Sequence, residues 1–370
     1  MSSHALHIIH TEASCGWGGQ ELRILSECEG MMARGHRITL VCAPQSRILP
    51  EAQKRGMRAV ALPIGRKNLR GLFALRGWLK GEEADVINTH SSTDAWLVAL
   101  ALKSLGRTTP TLRTRHISAP IPHNRATRWL YTRATTHIVT TGEKLRDTLI
   151  RDNRYPAQRI TSVPTGIDTT RFCPGDVRAA RAALGLPEEA LIIGIVATLR
   201  SWKGHRYLLE AFAQLAQPTA TLLVVGDGPQ REALEAQAAE LKIADRVHFA
   251  GNQADVVPWL QAMDIFVLPS YANEGVPQAL LQALLCGLPA ITTDVGSITE
   301  AAIDQRTALL VPAQNAATLA AKLKTLIEQP LLRQTLGHAA RAHVAEHFSR
   351  EGMICRMETL FHAAAKGGRG

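Results

Sequence analysis

The chain has 370 residues, 46% of them hydrophobic and 20% charged, with a net charge of +10. That length points to about two domains, and no run approaches the ~20 apolar residues of a membrane-spanning helix. The opening residues Met1-Ser2-Ser3-His4 lack the regions of a signal peptide, and the six scattered cysteines include no C-x-x-C pair, which argues against a disulfide or zinc framework and for reduced thiols in a cytoplasm.

The charge is unevenly spread. Residues 1–175 carry 25 Lys and Arg against 13 Asp and Glu, whereas residues 176–370 carry 17 against 19. A basic first half suits an anionic partner such as a lipid surface, a phosphorylated glycan or nucleic acid, and equally a face of solvated arginines.

Taken in order, the first half alternates short apolar runs with helical stretches. Leu6 to Ile9 reads as a strand, followed by the Gly-rich turn Cys15 to Gly19 and a helix from about Gln20 to Ala33. Further strands are expected at Ile38–Val41, Arg58–Leu62, Asp85–Asn88, Thr111–Thr114 and His137–Thr140. Breaker residues from Pro164 to Asp168 and from Phe172 to Gly175 then mark a boundary. Beyond a short helix at Arg178–Leu184 the alternation restarts. Strands are expected at Leu191–Val196, Thr221–Val225, Val247–Ala250, Ile265–Leu268 and Ala290–Thr292. Helices are expected at about His205–Leu215, Gln230–Leu241 and Ala316–Glu328, with a last one over Arg350–Ala365. The pattern is α/β, with two Rossmann-like doubly wound domains. The first covers 1–172 and the second 173–349; residues 350–370 form a C-terminal helix. Two such halves would make a cleft, and ligands bind such sheets at the C-terminal strand ends.

One stretch concentrates chemistry. The strand Ile265–Leu268 runs into a polar loop carrying Glu274, then Gly275-Val276-Pro277 and an apolar helix ending at Cys286-Gly287-Leu288-Pro289. Pro277 suits the first turn of that helix. A helix start offers unpaired N–H groups and partial positive charge to a phosphate, and Glu274 beside it can accept hydroxyl hydrogen bonds. Gln278 and Gln282, four apart, share one helix face. The expected ligand is a nucleotide sugar.

Motifs in order strengthen this reading. They are Gly18-Gly19, Pro164-Thr165-Gly166-Ile167-Asp168, Thr198 to Gly204, Val225-Gly226-Asp227-Gly228-Pro229, Phe249-Ala250-Gly251, Ser270 to Gly287 and Thr293 to Ser297. The chain resembles the retaining glycosyltransferases of family 4, which have the GT-B fold of two facing Rossmann-like domains. The resemblance implies a second domain that holds the nucleotide-diphosphate sugar and a first domain that holds the acceptor. Arg200 and Lys203 would neutralise the leaving diphosphate, and Glu274 would orient the donor sugar. Gly18, Gly19, Gly228, Gly251, Gly275, Val276 and Gln282 would contact the donor. His116 would stand near the reacting sugar. Three positions depart from the family pattern. Gln282 replaces a carboxylate, Thr198 stands where the family has Arg, and Thr165 replaces a hinge Asn.

His90, Arg115 and Arg125 are candidates to contact the acceptor, although a lone histidine is as often a structural hydrogen-bonder. Trp17 reads equally as a lid or as core. The basic, aromatic-bearing stretch from Arg113 to Arg133 suits an anionic acceptor or a membrane surface; no nucleic-acid module is recognisable. No D-x-D pair or His/Cys/Asp spacing suggests a metal, so the expected transfer needs no cofactor and no metal. The family's usage suggests a glycan or lipid-linked acceptor in bacterial lipopolysaccharide or other envelope polysaccharide synthesis, and an enzyme that is cytoplasmic, at the inner face of the membrane. The rival readings are a GT-B sugar-nucleotide epimerase and a non-catalytic glycan- or partner-binding subunit. A dehydrogenase fits poorly, because Gly226-Asp227-Gly228 lacks the full G-x-G-x-x-G pattern.

Overall fold

The computed structural model describes residues 4–117, 119–215 and 217–367. The chain divides into two compact units, one running up to Gly166 and resuming at Arg350, the other from Ile167 to Ser349.

The first unit opens with β1 (His7–Glu12), α1 (Gly19–Ala33), β2 (Arg37–Cys42), α2 (Ile48–Lys54) and β3 (Arg58–Ala61). It continues with α3 (Leu69–Lys80), β4 (Val86–Thr89), α4 (Ser92–Leu105), β5 (Thr111–Arg115) and α5 (Arg125–Trp129). β6 (His137–Thr140), α6 (Glu143–Arg151) and β7 (Ile160–Ser162) complete its sheet. The strands are parallel, in the order β3-β2-β1-β4-β5-β6-β7.

The second unit comprises α7 (Val177–Leu184), β8 (Ile192–Val196), α8 (His205–Ala213), β9 (Thr221–Val225), α9 (Arg231–Glu240) and β10 (Val247–Gly251). Then come α10 (Val257–Gln261), β11 (Ile265–Leu268), α11 (Gln278–Leu285), β12 (Ala290–Thr292), β13 (Leu309–Leu310), α12 (Ala316–Glu328) and α13 (Pro330–His347). Its parallel sheet runs β10-β9-β8-β11-β12-β13. The central strands β8 and β11 are buried along their whole length, as expected where helices cover both faces. The final helix, α14 (Arg350–Gly367), returns to the first unit. There Met353, Ile354, Met357 and Phe361 join the core built on α1 and β2.

Ile167 and Phe172 are buried in the second core. The second unit therefore begins at Ile167 rather than at 173, because the apolar residues of the hinge pack forward. Both sheets reverse strand order at one point, between β1 and β4 in the first and between β8 and β11 in the second. Connections leave in opposite directions there, which opens a crevice at the C-terminal strand ends.

Candidate functional site

In the second unit the loops after β8 and β11 flank the reversal point. The β8 loop carries Thr198 and Arg200 exposed and Leu199 buried. Leu199 is pinned by its N–H donating to the Asp227 carbonyl at 3.0 Å, while the Gln230 N–H donates to the Leu199 carbonyl at 3.1 Å. The loop ends in a single 3-10 turn, Ser201–Lys203. Gly204 then adopts φ +77°, and a Cβ there would meet the Pro269 carbonyl oxygen at 2.0 Å. That close approach joins the β8 loop to the β11 loop, and the Tyr271 N–H donating to the Trp202 carbonyl at 2.8 Å holds the two together.

The result is a partly buried ion pair. Lys203 Nζ donates to Glu274 Oε1 at 2.6 Å, with side-chain exposures of 18% and 6%. Glu274 is held from behind as well. Gly296, after β12, has φ +60°, and a Cβ on it would lie 2.0 Å from the Glu274 carbonyl oxygen. Gly275 and Val276 are buried beside it. Pro277 is not in the first helical turn. It is the extended cap of α11, at φ −68° and ψ 126°, and helical geometry begins at Gln278. The reason is local: the chain turns out of the Glu274 loop, and an extended proline continues it without needing an N–H. No side chain caps this helix start, so its first N–H groups remain available.

Gln282 is buried on α11, at 7% exposure, and does not face water. Ser270 Oγ, Gln278 Oε1 and Ser297 Oγ, all on the loops and helix around Glu274, are buried without a hydrogen-bond partner. Buried polar groups are normally satisfied, so this cluster is chemically incomplete. Gly228 lies on the β9 loop and donates its N–H to Asp227 Oδ1 at 2.8 Å. Gly251 ends β10, and its carbonyl accepts from the Gly226 N–H at 2.8 Å. Arg200 does not join the Lys203–Glu274 pair; its guanidinium lies over Trp202 at 5.7 Å.

His205, the first residue of α8, was not singled out from the sequence. Both of its ring nitrogens are buried without partners. Burial, and secondarily the charge of Lys203, push its pKa down to about 3.

The first unit brings three histidines into line. His10 Nδ1 lies 3.0 Å from His90 Nε2, and His90 Nδ1 lies 3.0 Å from His116 Nε2. Burial keeps all three neutral, with His10 pushed down to about 3 and the other two well below the ordinary range. Each neutral ring donates from one nitrogen and accepts at the other, so the tautomer of one fixes those of its neighbours. His10 was missed from sequence because its strand position reads as ordinary core. Beside this row, burial raises the pKa of Glu12 and Asp94. Asp94 accepts from the His90 N–H, the Ser91 N–H and Thr11 Oγ1 at 2.8 to 2.9 Å.

Gly18 precedes α1 in extended backbone, φ 178°. An added Cβ would meet only Glu21 Oε2, at 4.0 Å, so the protein by itself supplies no steric need for glycine there. Gly19 is the first, exposed residue of α1. Trp17 packs half-buried against the core, with Arg47 over its ring at 5.4 Å.

The basic stretch is not a uniform outward face. Arg113, on β5, is 3% exposed, and so is Tyr131, whose ring lies against its guanidinium. Arg115 Nη1 donates to the Tyr131 hydroxyl at 2.9 Å. These residues, with His90 and His116, line a cavity of about 630 Å³ within this unit. Arg125 is exposed on α5 and is not part of that lining.

Among the described residues one His/Glu group lies close enough to hold a metal: His36, Glu358 and His362. It is at the opposite, N-terminal edge of the sheet. His36 Nδ1 accepts from the Leu6 N–H, so Nε2 carries the proton and donates to Glu358 at 3.0 Å. With Nδ1 accepting and Nε2 donating, the His36 ring has no free lone pair to offer a metal.

Known proteins match this chain in sequence and fold. Residues 17–171 match the family model described as Glycosyltransferase Family 4, and residues 176–343 that of Glycosyl transferases group 1. The D-inositol 3-phosphate glycosyltransferase of Streptomyces bingchenggensis is 32% identical over 251 residues, 64% of this chain and 54% of that protein. Its namesake from Rhodococcus jostii is 36% identical over 217 residues, 55% and 47% of the two chains. The chain thus spans about half the length of the curated relatives it matches. Among solved structures, Anabaena Alr3699/HepE in complex with UDP and glucose superposes with a TM-score of 0.87 at 20% identity, covering 97% of this chain and 100% of that one. WaaG, a glycosyltransferase involved in lipopolysaccharide biosynthesis, superposes with a TM-score of 0.73 at 18% identity, covering 96% and 99%. With a family model on each half and the GT-B fold throughout, this chain belongs to the family 4 glycosyltransferases.

Proposed function

We propose that this protein transfers a sugar from a nucleotide-diphosphate donor, held by the second unit, to an acceptor hydroxyl held by the first, with retention of configuration and without a metal. The observation that carries the reading is the Lys203–Glu274 pair beside the uncapped start of α11. An ammonium has three N–H donors. Glu274 takes one, which leaves two for a diphosphate, and the helix N-terminus adds further N–H groups and partial positive charge. Glu274 keeps its second oxygen for donor-sugar hydroxyls.

The chemistry then follows. The acceptor hydroxyl attacks the anomeric carbon from the face the diphosphate leaves. The bond from that carbon to the β-phosphate oxygen breaks, and the departing phosphate takes the hydroxyl proton. Lys203 and the start of α11 stabilise the developing charge, a type of effect worth about 10²–10³ in rate per donor removed. Arg200, exposed on the same loop, reaches in only if it leaves Trp202. Gln282 offers a neutral hydrogen bond to a ribose hydroxyl. The solved Anabaena structures in complex with UDP and glucose and with UDP-glucose support a nucleotide-sugar donor.

For the acceptor we favour a glycan or lipid-linked glycan of the bacterial envelope, with WaaG's lipopolysaccharide role as support by analogy. We place the enzyme in the cytoplasm at the inner membrane face. No helix of the described residues is long and apolar enough to cross a membrane. Attachment would be peripheral, through α3. Asn68 caps that helix, accepting from the Gly71 N–H at 2.8 Å, and Leu75 and Leu79 are buried. Its other face leaves Leu69 68% and Phe73 63% exposed among Arg66, Lys67 and Arg70. No acidic residue occurs from 62 to 81.

The deciding experiment is a thermal-shift panel of UDP-, GDP- and ADP-sugars with EDTA present. Selective stabilisation by one donor, lost in Glu274→Ala, is the expected result. Silence across the panel would leave the non-catalytic reading in its place.

A further inference from the structure

We infer that the cavity of the first unit is a seat for an anionic group, a phosphate or carboxylate, carried by the acceptor. This rests on the glycosyltransferase reading and adds the chemical class of its second substrate.

The lining residues include Lys67, Arg113 and Arg115 and no Asp or Glu. Two of these cations are built in rather than draped on the surface. Arg113 is 3% exposed on β5, with its guanidinium 4.3 Å from the Tyr131 ring centroid, and its Nη1 has no hydrogen-bond partner. Arg115 is fixed by Nη1 on the Tyr131 hydroxyl and Nη2 on the Ala119 carbonyl at 2.7 Å, and its buried Nε is also without a partner. Tyr131 therefore braces both arginines.

A buried, unpaired guanidinium is costly, and it stays charged because its intrinsic pKa is so high. The charge of Asp94 favours the guanidinium, but its oxygens are held elsewhere. Asp94 has both carboxylate oxygens committed to Ser91, His90 and Thr11 at the start of α4. An incoming anion would supply the missing acceptors, and charge-assisted bonds to a guanidinium are the strong kind. Ser91, Ser92, Thr114 and Asn124 add neutral polar groups around the lining. Trp96 and Ile121 give it an apolar wall. The volume of about 630 Å³ lies within the range of small-molecule sites. His116 lines the same cavity, so an anion held here would set the rest of its molecule beside that ring.

The test uses the full-length protein and the fluorescence of its tryptophans, since Trp96 lines the cavity. The probes are inositol against D-inositol 3-phosphate, glucose against glucose 6-phosphate and glucuronate, and inorganic phosphate. The charged probes should bind at least 10-fold more tightly than their neutral parents, with affinity falling as salt rises. Arg113→Gln and Arg115→Gln should each lose at least 10-fold of that affinity and leave the nucleotide-sugar thermal shift unchanged. If Arg113→Gln fails to fold by circular dichroism, the half-buried Arg115→Gln decides. Phosphorylated probes alone binding would specify a phosphate seat, and glucuronate binding as well would specify a general anion seat. Equal binding of charged and neutral probes, no binding of any, or unchanged affinity in the folded variants would overturn the inference. Anion binding that survives while every nucleotide sugar is silent would instead remove the glycosyltransferase reading and leave the seat.

Discussion

Lys203 Nζ donates to Glu274 Oε1 at 2.6 Å across the reversal point of the second sheet. The two residues have opposite charges and separate expected partners, a diphosphate and a sugar. Each nevertheless holds the other in place before any ligand arrives, which is preorganisation of the kind that makes charge stabilisation effective. Lys203→Ala should lower kcat by about 10²–10³-fold, with donor KM changed far less. Glu274→Gln keeps the shape but loses the charge. It should weaken donor binding and leave Lys203 short of a partner in a mostly buried place. Steady-state kinetics of both variants on the donor found by thermal shift would separate these roles, and an unchanged kcat in Lys203→Ala would remove the leaving-group assignment.

The pair depends on two glycines that carry no chemistry. Gly204 and Gly296 occupy positive φ, and a Cβ on either would collide with a backbone oxygen at 2.0 Å, of Pro269 and of Glu274 respectively. Backbone cannot move aside as a flexible side chain can. Gly296→Ala should therefore push the Glu274 loop outward and cost at least about 10-fold in donor affinity, and the left-handed strain adds about 1–2 kcal/mol of destabilisation. Calorimetric titration with the donor, next to a urea melt, would read both quantities. Native donor affinity in Gly296→Ala would show that the loop position is not set from behind.

Stability should fall on the acid side of neutrality. His10 and His205 are held neutral by burial, with pKa values pushed from 6.5 down to about 3. Unfolded, each would take a proton near pH 6.5. At these two sites the unfolded chain then binds more protons than the folded one between about pH 6.5 and 3, so their contribution to stability is fully present above 6.5 and is lost as pH falls. Glu12, whose pKa is raised to about 8, acts in the opposite sense and offsets part of this loss. The slope approaches about 1.4 kcal/mol per pH unit for each histidine. Urea melts from pH 7.5 to 5 should show it, and His205→Leu should flatten the part that belongs to the second unit. An identical slope in that variant would mean that other groups carry the acid sensitivity.

The fold was legible because both sheets are built from short apolar runs separated by helical stretches, and the burial of β8 and β11 on both faces is written directly in their composition. Smaller elements were not. β13 has two residues and β7 three, too few for any pattern to register. The loops around Glu274 were legible as motifs, but the pairing of Lys203 with Glu274 was not, since they lie 71 residues apart and meet only through the Gly204–Pro269 approach. The stretch from Arg113 to Arg133 was legible as basic, but the burial of its first arginine was not. Arginines read as surface, yet Arg113 is buried on β5 and stacks on Tyr131. His10 gave no signal at all, because its role arises from the sideways pairing of β1 with β4.

The membrane reading turns on α3. Leu69 and Phe73 are four residues apart and therefore share a face, and both are more than half exposed. Arg66, Lys67 and Arg70 surround them with positive charge that no acid in the segment offsets. Such a face suits shallow insertion of two apolar side chains with cations at the headgroups. Each basic residue near an anionic surface is worth about 1 kcal/mol. The Arg66→Ser/Arg70→Ser variant should thus bind vesicles of phosphatidylglycerol and phosphatidylethanolamine about 30-fold more weakly. Leu69→Ser/Phe73→Ser should weaken binding in a way that added salt does not mimic. Because these side chains are exposed, unfolding stability should shift by no more than about 0.5 kcal/mol per residue. Sedimentation with vesicles of increasing phosphatidylglycerol content reads the binding. Equal sedimentation of the native protein with neutral and anionic vesicles, or native binding by both variants, would take α3 out of contact with the membrane.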